Sequence, residues 1–120
     1  MIKVYQTKFG VGGDCLRASL ASYFEISIDE VPSFELFQRN RWRIELLNWL
    51  LRKGYTLLEQ RMHPSDDCFY LMLARTPNGV LHCVVNRNGR TVHDPTPNHA
   101  TDLEMEKVWL FEPLTLNSGE

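Results

Sequence analysis

The pattern of apolar and polar positions changes its period about half-way along the chain. In the first half, apolar residues recur every three or four positions, which is typical of helices buried on one side. This pattern predicts one helix over Cys15–Phe24 and a second over Arg41–Lys53 that ends at Gly54. In the second half, period-two and continuous apolar runs predict strands over 55–58, 69–74, 80–86, 90–93 and 108–112. Helices followed by antiparallel strands indicate the α+β class.

Short local signals mark where these elements begin and turn. Asp14 is expected to cap the first helix, and Ser27 with Glu30 has the capping-box spacing of a short helical turn. Asn88-Gly89, between two strand patterns, is the strongest hairpin signal in the chain. The sequence therefore predicts an N-terminal helix packed on a C-terminal antiparallel sheet.

Length and charge narrow the class of protein. The chain has 120 residues with 43% apolar content, which predicts one domain over 1–116 and a frayed tail over 117–120. A formal net charge of −2 gives no overall attraction to nucleic acid or to an anionic membrane. The arginines at 39, 41 and 43 are flanked by Glu35 and Glu45, so this cluster is interpreted as a solvated helix start.

The cysteines argue against a disulfide or zinc framework. There are three, Cys15, Cys68 and Cys83, with no CxxC pair. The N-terminal sequence resembles neither a signal peptide nor a membrane span. We therefore expect a reducing cytoplasmic location, no metal and no organic cofactor.

Cys15 is the first candidate for chemistry because it opens an apolar helix behind a glycine-rich loop. A helix N-terminus carries roughly +0.5 of an elementary charge, which favours a thiolate. The alternative for Cys15 is a small buried apolar residue. Gln6 precedes it by a short loop, and its side-chain amide is a candidate to form an oxyanion hole with the Cys15 backbone N–H.

His82 and Asp94 complete the candidate site if they share a face of the sheet. Strand alternation places His82 and Cys83 on opposite faces. A two-residue hairpin loop places Cys83 opposite Asp94, whereas a three-residue loop places His82 there. The catalytic interpretation requires the second loop. The alternatives are an ordinary strand histidine and a turn-forming aspartate before Pro95.

Other chemically active side chains are assigned structural roles. We expect three histidines to be solvated: His63, His93 and His99. Two cysteines are expected to be packing residues: Cys68 and Cys83. Two tryptophans at helical spacing are expected in the core: Trp42 and Trp49.

In order and context, these residues resemble the papain-like cysteine peptidase superfamily. The resemblance is to its small bacterial and phage-type branch, related to the bacteriocin-leader peptidases. That group shows a Gln, then Asp-Cys opening a helix, then His followed by valines, then Asp-Pro. The matching residues here are Gln6, Asp14-Cys15, His82 with Val84 and Val85, and Asp94-Pro95. The segments VYQTKFG and VHDPTP also look like small phage proteins of this fold. The interval from Gln6 to Cys15 is longer than usual.

The resemblance implies a thiol hydrolase acting on an amide or isopeptide bond. Cys15 would attack the carbonyl, His82 would move the proton, Asp94 would orient His82, and Gln6 would help to bind the oxyanion. Because the domain is small, we expect a peptide or protein substrate with a tail or an isopeptide branch. The alternatives are an acyltransferase of the same fold and a catalytically silent phage protein that binds a host factor. No nucleic-acid or membrane partner is expected, and the oligomeric state stays open.

Overall fold

Two α-helices precede five β-strands in the computed structural model, which describes residues 2–9, 13–96 and 102–114. The helices match the predicted bounds: α1, Cys15–Phe24, and α2, Arg41–Lys53. Between them lie two short 3-10 turns, Ile28–Glu30 and Phe34–Leu36, of which only the first was predicted. The strands are β1, Tyr55–Gln60; β2, Phe69–Arg75; β3, Leu81–Arg87; β4, Arg90–His93; and β5, Glu104–Pro113.

The strands form one antiparallel sheet in the order β1-β5-β2-β3-β4. The predicted α+β class is therefore confirmed. Strand β5 begins at Glu104, not at 108 as predicted, because the exposed Glu104 and Glu106 conceal its apolar content. Its pairing with β2 shifts register at Glu106. No helix in the described part of the chain is long and apolar enough to cross a membrane.

The main core lies between α1 and one face of the sheet. Ala18, Leu20 and Ala21 are fully buried, and the small side chains of the two alanines let α1 pack against the strands. The sheet contributes Leu71, Leu73, Cys83, Val85, Trp109 and Phe111 to the same cluster. A smaller cluster, formed by Met72, Ala74 and Val84, covers the other face. This division confirms that Cys83 and Val84 face opposite sides.

Helix α2 covers the far end of this core with Leu46, Trp49 and Leu50. Leu47 is an apolar residue of the same helix, but it is 42% exposed. A thirteen-residue helix presents only a limited arc to the core, and Leu47 falls outside that arc. Trp42 is partly buried at the start of the helix.

Residues 2–9, here called the N-terminal strap, have no regular secondary structure and form hydrogen bonds to α1 and to the chain that follows β4. The Val4 N–H donates to the Ser22 hydroxyl over 2.8 Å. The Gln6 N–H donates to the Pro95 carbonyl over 3.0 Å. The strap therefore joins the helix that carries Cys15 to the segment that carries Asp94. The predicted tail over 117–120 lies outside the described residues.

Candidate active site

Cys15 is the first residue of α1, and its side chain is partly exposed. The first intrahelical bond runs from the Ala18 N–H to the Asp14 carbonyl. The N–H groups of the three residues between them therefore have no acceptor within the helix. The thiol thus lies at the positive end of the helix, as the sequence predicted.

Asp14 occupies the N-cap position, but the predicted cap hydrogen bond is absent. Its backbone has φ −107° and ψ 36°, unlike the extended conformation of most N-caps. The carboxylate instead accepts from the backbone N–H groups of Thr7 and Lys8, over 2.8 and 2.9 Å, and from the Thr7 hydroxyl over 2.5 Å. Burial opposes ionisation, but these hydrogen bonds lower the pKa of Asp14 below its usual value. Asp14 therefore anchors the strap beside Cys15.

His82 and Asp94 form a buried pair, with His82 Nε2 2.7 Å from Asp94 Oδ1. The side chains are 8% and 2% exposed. This is the pairing that the catalytic interpretation requires. The same imidazole also interacts with the Cys15 thiol. Cys15, His82 and Asp94 are therefore brought together around one ring.

The β3–β4 hairpin brings His82 and Asp94 to the same face through a strand register that the sequence analysis did not predict. Arg87 pairs with Arg90, so the loop has two residues, Asn88 and Gly89, both with positive φ. The register then shifts: Asn86 pairs with Thr91, and Val85 pairs with His93.

Val92 is left unpaired as a β-bulge in this register. The extra residue changes the parity, so that Asp94 joins the His82 face although the loop is short. Of the two loops left open by the sequence, the two-residue loop forms, and not the three-residue loop that the catalytic interpretation required. The bulge at Val92 restores the shared face that the three-residue loop was expected to give.

The electrostatic environment of His82 favours its protonated form. Burial acts to lower the pKa of the ring, but hydrogen bonds and charge interactions with Asp94 and Cys15 raise it to about 9. At neutral pH the protonated ring therefore lies beside the Cys15 sulfur. A neighbouring cation of this kind favours a thiolate.

The other two cysteines have different surroundings. Cys83 is fully buried, and burial raises the pKa of its thiol well above the usual value. Cys68 is partly exposed, and burial together with Asp66 and Asp67 raises the pKa of its thiol. Cys83 packs in the core as predicted. In both cases the raised pKa favours the thiol over the reactive thiolate.

Thr96 joins the site, although the sequence analysis did not identify it. Its backbone N–H donates to Asp94 Oδ1 over 2.9 Å, and its hydroxyl lies 3.5 Å from His82 Nε2. The signal in the sequence was Asp-Pro-Thr, because an aspartate often accepts from the N–H two residues later. Thr96 therefore fixes the carboxylate that holds His82.

Gln6 is buried next to Thr96. Its side-chain carbonyl accepts from the Thr96 hydroxyl over 2.8 Å, and its amide nitrogen donates to the Lys8 carbonyl over 2.7 Å. One amide hydrogen is thus committed to Lys8. The oxyanion role of Gln6 stays a prediction that depends on the second hydrogen.

The histidines that were expected in solvent differ in their burial. His93 is 4% exposed, and its Nε2 lies 2.6 Å from the Val4 carbonyl, so the expectation of a solvated ring is wrong. Strand alternation places His93 on the face of the sheet opposite to His82. The strap covers His93 on that face, and the His93 ring also contacts the Tyr5 ring edge-on. His63 is exposed, as expected, with Nδ1 2.6 Å from the Tyr70 hydroxyl. His99 lies outside the described residues.

A cavity of about 320 Å³ opens beside the thiol and is lined by both Cys15 and His82. Its walls are mostly apolar, from Leu16, Phe34, Phe37, Trp42, Leu73, Leu81 and Trp109. Within residues 2–9, 13–96 and 102–114, no cluster of three or more His, Cys, Asp or Glu side chains could hold a metal ion.

Comparison with known proteins gives no relative: no protein-family model, no curated protein and no solved structure matches this chain.

Proposed function

We propose that this protein is a cysteine-dependent hydrolase of an amide or isopeptide bond that works through an acyl-thioester intermediate, with a papain-like arrangement of its site. The observation that carries the proposal is the buried imidazole of His82, which interacts with Cys15 and lies 2.7 Å from Asp94. A thiol, a base and an orienting carboxylate around one ring make up the machinery of nucleophilic acyl transfer.

The reaction follows from the charges at the site. The Cys15 thiolate attacks the carbonyl carbon, and the imidazolium of His82 gives its proton to the departing amine as the C–N bond breaks. The acyl group is then held as a thioester on Cys15. Neutral His82 removes a proton from water, whose oxygen attacks the thioester. The carboxylic acid leaves, and the thiolate–imidazolium pair is restored.

The supporting groups have separate roles. The N–H groups at the start of α1 have no acceptor within the helix and are the proposed first donors to the oxyanion of the attacked carbonyl, and Gln6 is the proposed second donor. Asp94 is a positioning residue, because it contacts His82 and is held in turn by Thr96.

The first test is selective alkylation of Cys15. Native protein treated with limiting iodoacetamide at neutral pH should be modified at Cys15 at least about tenfold faster than at Cys68 or Cys83, because thiolates are the reactive form. Peptide mapping by mass spectrometry gives the rates, and Cys68→Ala serves as a control that should leave Cys15 labelling unchanged. Preferential modification of Cys68 or Cys83 would reject the assignment.

The second test identifies the base. His82→Gln should slow alkylation of Cys15 at pH 5.5 by at least about tenfold, because the thiol then loses its imidazolium partner. His93→Gln, which keeps a donor for the Val4 carbonyl, should leave the rate near that of the wild type. The opposite result would assign the base to His93.

The reaction class is tested with three substrates, each offered to the wild type and to Cys15→Ala. They are unfolded casein, a ubiquitin-like protein with a C-terminal amide reporter, and the same reporter with a primary amine acceptor. We expect Cys15-dependent release from the reporter and no general cleavage of casein, because a small domain has little surface to hold an extended peptide. A product that carries the amine would assign an acyltransferase. No Cys15-dependent product would assign a binding protein.

A further inference from the structure

Cys83 is a buried thiol beside the candidate site that the proposed mechanism does not use. It follows His82 on β3, and the residue is only 3% exposed. It belongs to the core cluster between α1 and the sheet, against which Cys15 also packs. Cys83 nevertheless lines the cavity that opens beside Cys15. This thiol therefore adjoins the proposed nucleophile although bulk solvent scarcely reaches it.

The contacts of α1 hold Cys83 close to Cys15. Ser19 lies one helical turn after Cys15 on the same side of α1, because residues four apart in a helix are neighbours. The Ser19 hydroxyl donates to the Cys83 carbonyl over 2.9 Å, and both groups are buried. This hydrogen bond keeps β3 against the first turns of α1. Cys15 from the helix and Cys83 from the strand then line one cavity.

The two thiols also influence each other through charge. Burial is the main reason that the pKa of Cys83 is raised, and a negative charge on Cys15 raises it further. Such an influence requires two groups that are near one another inside the protein. When Cys15 becomes uncharged, this contribution is lost and Cys83 releases its proton more readily. Oxidation of the Cys15 thiolate to a neutral sulfenic acid is a change of this kind.

Cys68 does not share this position. The residue after it, Phe69, pairs with Arg87, which is four positions along β3 from Cys83. Four strand residues span about 13 Å, so Cys68 lies near the far end of β3. It is also absent from the described lining of the cavity. Of the three cysteines, all of which the structure describes, Cys83 is the one placed to react with Cys15.

We propose that Cys83 forms a reversible disulfide with Cys15 when a peroxide oxidises the nucleophile. The disulfide occupies the sulfur that would attack the substrate, so this regulation rests on the proposed function for the activity that it switches off. The disulfide also protects Cys15, because a sulfenic acid without a thiol partner is open to further, irreversible oxidation.

The chemistry has two steps. The Cys15 thiolate attacks hydrogen peroxide: an S–O bond forms, the O–O bond breaks, and hydroxide leaves. The Cys83 sulfur then attacks the Cys15 sulfur: the S–S bond forms, the S–O bond breaks, and the hydroxyl leaves as water with the proton of Cys83. The peroxide gains the two electrons that the two sulfurs lose. A dithiol such as dithiothreitol reverses the modification by thiol–disulfide exchange.

The direct test treats the native protein with one equivalent of hydrogen peroxide, blocks free thiols, and isolates the monomer by non-reducing electrophoresis. Trypsin places the three cysteines in separate peptides, residues 9–17, 62–75 and 76–87. Peptides 9–17 and 76–87 should be found linked, at least about tenfold more often than any pair that contains 62–75. Dithiothreitol should remove the link and restore iodoacetamide labelling of native Cys15. An unoxidised Cys15, an oxidised Cys15 without this link, or a link mainly to Cys68 would overturn the proposal.

Substitutions then separate Cys83 from Cys68. Cys83→Ala and Cys83→Val remove the thiol with a smaller and a larger side chain, and circular dichroism shows which variants fold. In a folded variant, peroxide should convert Cys15 to sulfinic or sulfonic acid at a dose from which the wild type recovers with dithiothreitol. Cys68→Ala is the matched control and should recover like the wild type. Equal irreversible oxidation with and without the Cys83 thiol would mean that Cys83 only packs the core.

The disulfide and the hydrolase are decided by different measurements. A Cys15–Cys83 link in a protein that gives no Cys15-dependent product from the amide reporter would reject the hydrolase and keep the disulfide. A Cys15-dependent product that peroxide abolishes without forming the linked peptides would keep the hydrolase and reject the disulfide.

Discussion

Burial on its own would keep the His82 ring neutral, and its partners reverse that preference. The hydrogen bonds to Asp94 and Cys15 bring the pKa to about 9, above the ordinary 6.5. The ring is therefore charged below about pH 9 and loses its charge above it. A charged ring beside Cys15 attracts anionic reagents, and a neutral ring does not.

This charge predicts how Cys15 distinguishes two alkylating agents. Iodoacetate is an anion and iodoacetamide is neutral, so the ratio of their rates at Cys15 reports the charge on His82. The ratio should be constant near neutral pH and fall as the pH rises through about 9. In Asp94→Ala the fall should occur at a lower pH, because a hydrogen bond that raises the His82 pKa is gone. Both rates are measured by mass spectrometry from pH 6 to pH 10.

Asp94→Asn is the matched control, because its amide oxygen can still accept from His82 Nε2 but carries no charge. Its profile should lie between those of the wild type and Asp94→Ala. Identical profiles in all three proteins would mean that Asp94 does not set the charge of His82.

At the scale of the hairpin, the site depends on the number of residues between His82 and Asp94. Val92 is a bulge that no residue of β3 opposes, and it is partly exposed. Removing it leaves Thr91 opposite Asn86 and His93 opposite Val85, so the His82–Asp94 pair is kept. Adding a residue at the same place moves Asp94 to the other face.

We therefore expect opposite results from two changes of one residue. Deletion of Val92 should retain alkylation of Cys15 at pH 5.5 within about threefold of the wild type. Insertion of one threonine after Val92 should slow it by at least about tenfold, because His82 loses its orienting partner. Circular dichroism shows whether both variants keep the sheet. A folded insertion variant with the wild-type rate would show that bulge parity does not control the site.

The sequence predicted the elements better than their pairing. The bounds of α1 and α2 follow from apolar spacing and from Gly54, which are local signals. The place of β5 between β1 and β2 depends on long-range pairing, which local patterns do not contain. The bulge was not predictable, because Thr91 and Val92 both favour a regular strand.

The same limit applies to the candidate site. Cys15, His82 and Asp94 were identified from chain order and residue type. The Thr96 N–H bond to Asp94 follows from the local Asp-Pro-Thr pattern, but the Thr96 hydroxyl contacts Gln6, 90 positions away, and no local pattern reveals that contact. His93 was expected in solvent because nothing in the sequence near it indicates that the strap covers it.

At the scale of the whole molecule, the strap connects α1 to the chain after β4. His93 donates to the Val4 carbonyl over 2.6 Å from a buried position, and without it that carbonyl keeps only the longer hydrogen bond, 3.5 Å, from the Ser22 hydroxyl. Losing the shorter hydrogen bond together with the packing of a buried ring costs about 1–3 kcal/mol. The strap is the part of the molecule that should open first.

We predict that His93→Ala lowers the free energy of unfolding by about 1–3 kcal/mol and speeds hydrogen exchange at the N–H groups of Val4 and Gln6. Those groups donate to Ser22 and Pro95 in the native protein. His63→Ala, at an exposed ring, should change stability by less than about 1 kcal/mol and leave exchange in the strap unaltered. Equal effects of the two variants would show that His93 does not hold the strap.

The contacts of the strap also determine when, during synthesis, the residues of the candidate site come together. Gln6 and Thr96, which hydrogen-bond to each other, are 90 positions apart, and His93 and Val4 are 89 apart. Contacts of such separation form late, because the loop between them must first be closed. On the ribosome Cys15 emerges long before its histidine and aspartate. A thiol at the end of an unsupported helix has no imidazolium beside it, so Cys15 of the nascent chain has ordinary surroundings, and the proposed nucleophile would form only when the hairpin closes.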